Sequence, residues 1–135
     1  MKKQNTGVGL GFNIISALLA FMLWGSWAYY VNAGAETRLI SALTQGFASF
    51  CITLVLVRMV TYIFNRLPPS PLRVVLPALL SVSVTGCALI LAHTLARTSN
   101  IVYTIAPALT VAFIFCVFTA LKLQKLAAHE KDDHV

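Results

Sequence analysis

The chain has 135 residues, of which 59% are hydrophobic and only 10% are Asp, Glu, Lys or Arg. Soluble domains carry roughly 25% charged residues, so most water-exposed folds are excluded, and a mean hydropathy of +0.83 excludes a disordered chain, which needs low hydrophobicity. The formal charge of +6 does not imply nucleic acid as a partner, because the basic residues flank apolar runs, where membrane topology accounts for them.

The expected fold class is an all-α integral membrane protein. One transmembrane domain is expected, a four-transmembrane-helix bundle built as two helical hairpins. A span needs about 20 apolar residues, so four spans use about 80 and leave only turns and tails.

The first span covers residues 10–31, with Lys2 and Lys3 before it and Trp24, Trp27, Tyr29 and Tyr30 at its far end, as in an interfacial aromatic belt. Ala33-Gly34-Ala35 fits a signal-peptide cleavage pattern, but the apolar run is longer than a signal core of about 7–15 residues. A short polar turn leads to the second span, 39–64, in which Arg58 interrupts the apolar run near the far interface and can snorkel there beside Tyr62. Pro68, Pro69 and Pro71 between Arg66 and Arg73 end that helix, since proline lacks an N–H and clashes with the preceding turn. The third span is 74–95, with Pro77 in its first turn, where proline is tolerated. After the polar turn 96–100, the fourth span is 101–121. Pro107 is expected to kink it or open it locally, and the tail 122–135 is expected to be polar, helical or frayed and then disordered.

Lys2, Lys3, Arg58, Arg66, Arg73, Lys122, Lys125 and Lys131 fall on one side of this arrangement, and only Arg38 and Arg97 on the other. Lys and Arg collect on the cytoplasmic side, so both termini are expected there, in a bacterial cytoplasmic (inner) membrane. Shifting the sequence by 61 positions lays Gly25 on Gly86 and Asn32 on His93. This is a faint internal repeat, with chance as the simpler account.

Within the spans, Ser41, Gln45, Ser49 and Thr53 recur every fourth residue and so share one helix face. Ser81, Thr85 and His93 share a face of the third span, and Asn13, Ala17, Ala20 and Trp24 form a similar stripe on the first. Small Thr104, Ala108, Ala112 and Cys116 line the fourth. Such stripes serve helix packing or line a polar path between helices. Gln45, Ser49, Thr53, Thr85, His93 and Asn32 are the candidate substrate-path residues. Trp24, Trp27, Tyr29 and Tyr30 are the interfacial aromatics, and Arg58, Arg66 and Arg73 form a cytoplasmic basic set that topology alone explains or that holds a phosphate.

Several chemistries lack their residues. No span contains Asp or Glu, which speaks against exchange driven by a membrane carboxylate, the device of small multidrug exporters of similar length. No acid stands near His93 to complete a triad. Cys51, Cys87 and Cys116 lack CxxC spacing, and Gly7-Val8-Gly9-Leu10-Gly11 lacks the Lys-Ser/Thr ending of a phosphate loop. The short tail His129-Glu130-Lys131-Asp132-Asp133-His134 is too mixed in charge for a specific metal site. No enzyme activity, cofactor or metal is expected. The expected function is a carrier or flippase-type component for an amphipathic or lipid-linked substrate. The alternative is a non-catalytic accessory or scaffold subunit of a larger complex. Membrane lipid is the expected partner, with homo-oligomerisation or a larger membrane-protein partner.

Overall fold

The computed structural model describes residues 9–133, and Lys2, Lys3, Gly7, Val8 and His134 lie outside the described residues. Four helices follow one another: α1 (Leu10–Val31), α2 (Arg38–Arg66), α3 (Leu72–Leu95) and α4 (Ile101–Asp133). All four are long and apolar enough to cross a membrane, because a backbone in lipid must satisfy its own hydrogen bonds. The first helix has the expected bounds, and the others extend beyond theirs. α3 begins two residues early with Pro71 as its N-cap, so Pro77 lies past the first turn. α4 runs on through Lys122 to Asp133 rather than fraying there. At 1.5 Å per residue its 33 residues span about 50 Å, well beyond a hydrocarbon core of about 30 Å.

α1 pairs with α2, and α3 with α4, as two hairpins. α2 joins them by packing on α3 and α4, whereas α1 meets α4 over only a short stretch. Side-chain bonds between the α1–α2 and α3–α4 turns, Thr37 Oγ1 donating to the Arg97 carbonyl among them, place both turns at one end of the bundle. This is the turn end. The α2–α3 connection, the start of α1 and the end of α4 occupy the other, the termini end.

The helices are brought together by different means at different depths. Lipid is as apolar as leucine, so close backbone approach and polar contacts, rather than hydrophobicity, drive helix association in a membrane. Between α1 and α2 the approach is glycine-mediated. A Cβ on Gly25 would stand 3.3 Å from the Ala42 carbonyl oxygen, and one on Gly46 would stand 3.1 Å from the Phe21 ring. Towards the termini end, Leu56, Val60, Phe64, Ala78, Cys116, Ala120 and Leu123 form an apolar core between α2, α3 and α4.

Candidate functional site

Two hydrogen-bonded clusters close the turn end. The first begins with the backbone. α3 ends with Arg97 in the left-handed conformation at φ 59°, while Thr98 N donates to the His93 carbonyl and Arg97 N to that of Thr94. This Schellman turn folds Thr98 back over His93, and the Thr98 hydroxyl lies 2.7 Å from His93 Nδ1. The other ring nitrogen, Nε2, lies 2.7 Å from Gln45 Oε1. An amide oxygen only accepts, so Nε2 carries the proton, and Nδ1 of the neutral ring accepts from Thr98. Ser41 Oγ is 2.8 Å from Thr98 Oγ1 and supplies the proton that Thr98 then accepts. Gln45 Nε2 donates to Ser49 Oγ at 3.4 Å. Ser41, Gln45 and His93 are fully buried, and Ser49 and Thr98 nearly so.

The second cluster centres on Asn32, also fully buried. Its Nδ2 donates to Thr104 Oγ1 at 2.9 Å and to the Ala28 carbonyl at 2.8 Å, and its Oδ1 accepts from Asn100 N at 3.0 Å. Thr104 passes its proton to the Asn100 carbonyl at 2.6 Å. Every polar atom of the Asn32 side chain is thereby paired, as burial in lipid requires. The residues matched by the 61-position shift, Asn32 and His93, thus both sit buried at the turn end, and each reaches the opposite hairpin.

A proline adds a third tie. Pro107 has no N–H, so the carbonyl of Tyr103, four residues earlier, lacks its helical donor. The Trp27 indole N–H donates to that carbonyl at 2.9 Å, fastening α1 to α4. The helix continues unbroken through Pro107.

Below this sealed layer α1 and α4 part. A cavity of about 440 Å³ opens between them, floored by α2 and α3. Its walls are mostly apolar, with Phe12, Trp24, Leu56, Ala112 and Phe115 prominent, and hydroxyls or amides recur at successive levels, from Asn13 and Ser16 through Thr53 to Ser49 and Thr85. Among the described residues Lys122, at the termini end, is the one charged residue lining it. Ser49 belongs to both the cavity and the His93 cluster, so the groove and the hydrogen-bonded chain are continuous. Thr85 is 4% exposed, lines the cavity, and makes no hydrogen bond among the described residues. The hydroxyl of Ser81, one turn away on α3, is buried without a partner there; nothing in its surroundings accounts for that.

The candidate residues therefore sort into different places. Gln45, Ser49 and His93 are joined, Thr53 and Thr85 line the groove, and Asn32 belongs to the separate α1–α4 cluster. Of the aromatics, Trp24 lines the groove, and Trp27 ties α1 to α4, with the Tyr30 ring 6.0 Å away and tilted by 35°. Tyr29 lies beneath the Arg38 guanidinium at 3.7 Å. The three basic candidates occupy separate settings. Arg58 is exposed, and Arg66 sits over the Tyr62 ring at 4.8 Å. Arg73 is buried, 3.9 Å from the Phe64 ring centroid, and its Nε donates to the Phe64 carbonyl at 3.1 Å, closing the end of α2. The small-residue stripe on α4 turns inward, with Ala108 and Ala112 lining the groove.

Sequence reasoning did not single out Thr98 and Asn100 as site residues, because they stand in a short polar turn. The signal was present in Thr98-Ser99-Asn100 directly before an apolar run, a helix N-cap pattern. Lys122 was read only as a topological charge. No family model, curated protein or solved structure matches the chain.

Proposed function

We propose that this protein is a small carrier of flippase type for an amphipathic or lipid-linked substrate, set in a bacterial cytoplasmic membrane with both termini cytoplasmic. The observation that carries this reading is the laterally placed groove between α1 and α4, continuous through Ser49 with the buried Gln45–His93 pair. The groove offers apolar walls to a hydrocarbon portion and spaced hydroxyls to a polar one. It opens below a polar layer whose bonds can exchange partners without leaving charge in lipid. Among the described residues no acid lines it, and coupling through a membrane carboxylate is not part of the proposal. An accessory role is the second reading. Its docking face would have to lie elsewhere than on Ala108 and Ala112, which face the protein's own groove.

The test is reconstitution into liposomes carrying head-labelled fluorescent lipids, with transbilayer movement read by chemical quenching of the outer leaflet. Faster movement than in empty liposomes is expected for at least one amphipathic lipid. The Gln45→Leu, His93→Leu double variant removes both partners of one bond and should still assemble. Its movement rate should fall to that of empty liposomes. Unchanged transport by the assembled double variant would sink the reading.

A further inference from the structure

We infer that the α1–α4 groove binds one long hydrocarbon chain bearing a single anionic head, carboxylate or phosphate, with the head at Lys122 and the chain running towards Trp24. The inference rests on the carrier reading for treating the groove as a substrate site, and it names the class of substrate.

Three observations converge. The first is size. The cavity holds about 440 Å³, and at roughly 30 Å³ per methylene, close to the volume of a water in the liquid, it takes about 15 methylenes. That is one chain, not two. The second is length. Lys122 and Ala108 mark opposite ends of the groove on α4, and the fourteen residue steps from one to the other rise about 21 Å, enough for an extended chain to cross more than half of a hydrocarbon core of about 30 Å. The third is charge. Among the described residues Lys122 is the only charged side chain lining the groove, and it has no acidic partner there. Asn13 and Ser16 on the facing wall also lack side-chain hydrogen bonds there, which leaves an amide and a hydroxyl for the oxygens of a head group. Lys122 is exposed, so an anionic head can reach it, and a charge-assisted bond to its ammonium is about twice as strong as the hydrogen bonds open to a neutral head.

Trp24 lines the groove and reports on occupancy. The protein is placed in phosphatidylcholine nanodiscs as a Trp27→Phe variant, leaving Trp24 as its single tryptophan, and also as the wild type. Stearate carrying a nitroxide near its chain end is titrated at alkaline pH, beside its methyl ester. Saturable quenching of Trp24 by the acid is expected, with at least fivefold weaker binding of the ester. Lys122→Gln should bring the acid down to the ester's affinity. Ala112→Phe, which fills the groove from α4, should block entry and abolish the saturable quenching of Trp24. Equal affinity of acid and ester, or undiminished binding by Lys122→Gln, overturns the inference.

Competition identifies the chain. Displacement by an isoprenyl phosphate but not by a lysophosphatidate assigns an isoprenoid, and the reverse assigns an acyl chain. Equal displacement by an uncharged long-chain alcohol overturns the role of the anion. Binding is read at equilibrium, without transbilayer movement. A protein that binds the acid and moves no lipid keeps this site and loses the carrier reading. A protein that moves lipid but binds acid and ester alike keeps the carrier reading and loses this inference.

Discussion

The two ends of the bundle solve the same packing problem differently. At the turn end, hydrogen bonds tie α1 to α4 and α2 to α3, the buried pairs Asn32–Thr104 and Gln45–His93 and the more exposed Trp27–Tyr103. Towards the termini end, α2, α3 and α4 share an apolar core around Phe64 and Leu123, while α1 stands away from α4 and leaves the groove. Polar bonds are directional and set a register, and apolar contacts in lipid set almost none. A bundle of four identical-looking apolar helices thus acquires one sealed end and one open flank.

This contrast can be broken at graded cost. The largest effect is expected from Gly25→Leu, which wedges a side chain against the Ala42 backbone, 3.3 Å from where its Cβ would sit. A loss of about 3 kcal/mol is expected, at the upper end of overpacking costs, measured by detergent-titrated unfolding. Next is His93→Leu, which leaves Gln45 and Thr98 buried without their partner and should cost about 2 kcal/mol. Adding Gln45→Leu should cost less than its effect alone, with a coupling of about 1 kcal/mol in a double-mutant cycle. Strict additivity would mean that the two side chains do not bond.

A subtler cycle tests the proline tie. Trp27→Phe should cost about 1 kcal/mol by orphaning the Tyr103 carbonyl. In a Pro107→Ala background the restored N–H at position 107 can serve that carbonyl, so the same change should cost close to nothing. An equal cost in both backgrounds would show that Trp27 acts through packing alone. The smallest effect has the opposite sign. Arg97 holds φ 59°, a conformation that costs an L-residue roughly 1–2 kcal/mol. Arg97→Gly should therefore raise stability by about 1 kcal/mol while keeping the Schellman turn, with the melting temperature as the readout.

Much of the fold was legible because its causes are local or nearly so. Apolar runs of spanning length, the Pro68–Pro71 cluster and the polar turns locate four helices, with every bound but the end of α4 within two residues. The two-residue early start of α3 follows from Pro71, whose ring already holds a φ compatible with a helix end. The extension of α4 past Lys122 was less visible, because a polar helical tail and a polar frayed one have the same composition. Of the site, the i, i+4 stripe on α2 pointed to Gln45 and Ser49. Nothing in the stripe revealed that Gln45 meets His93, forty-eight positions away, or that Asn32 is a member of another cluster.

By itself, the sequence determined that the chain is built of four membrane-length helices, where they turn, and which polar side chains must find partners, because hydropathy, proline and the cost of an unpaired polar group in lipid act wherever the chain lies. Only the tertiary structure decided which partners those are, and that α1 closes on α4 at one end and parts from it along the rest. Those outcomes depend on helix rotation and crossing. In a medium as apolar as the helices themselves, only close glycine contacts and individual hydrogen bonds select among the alternatives.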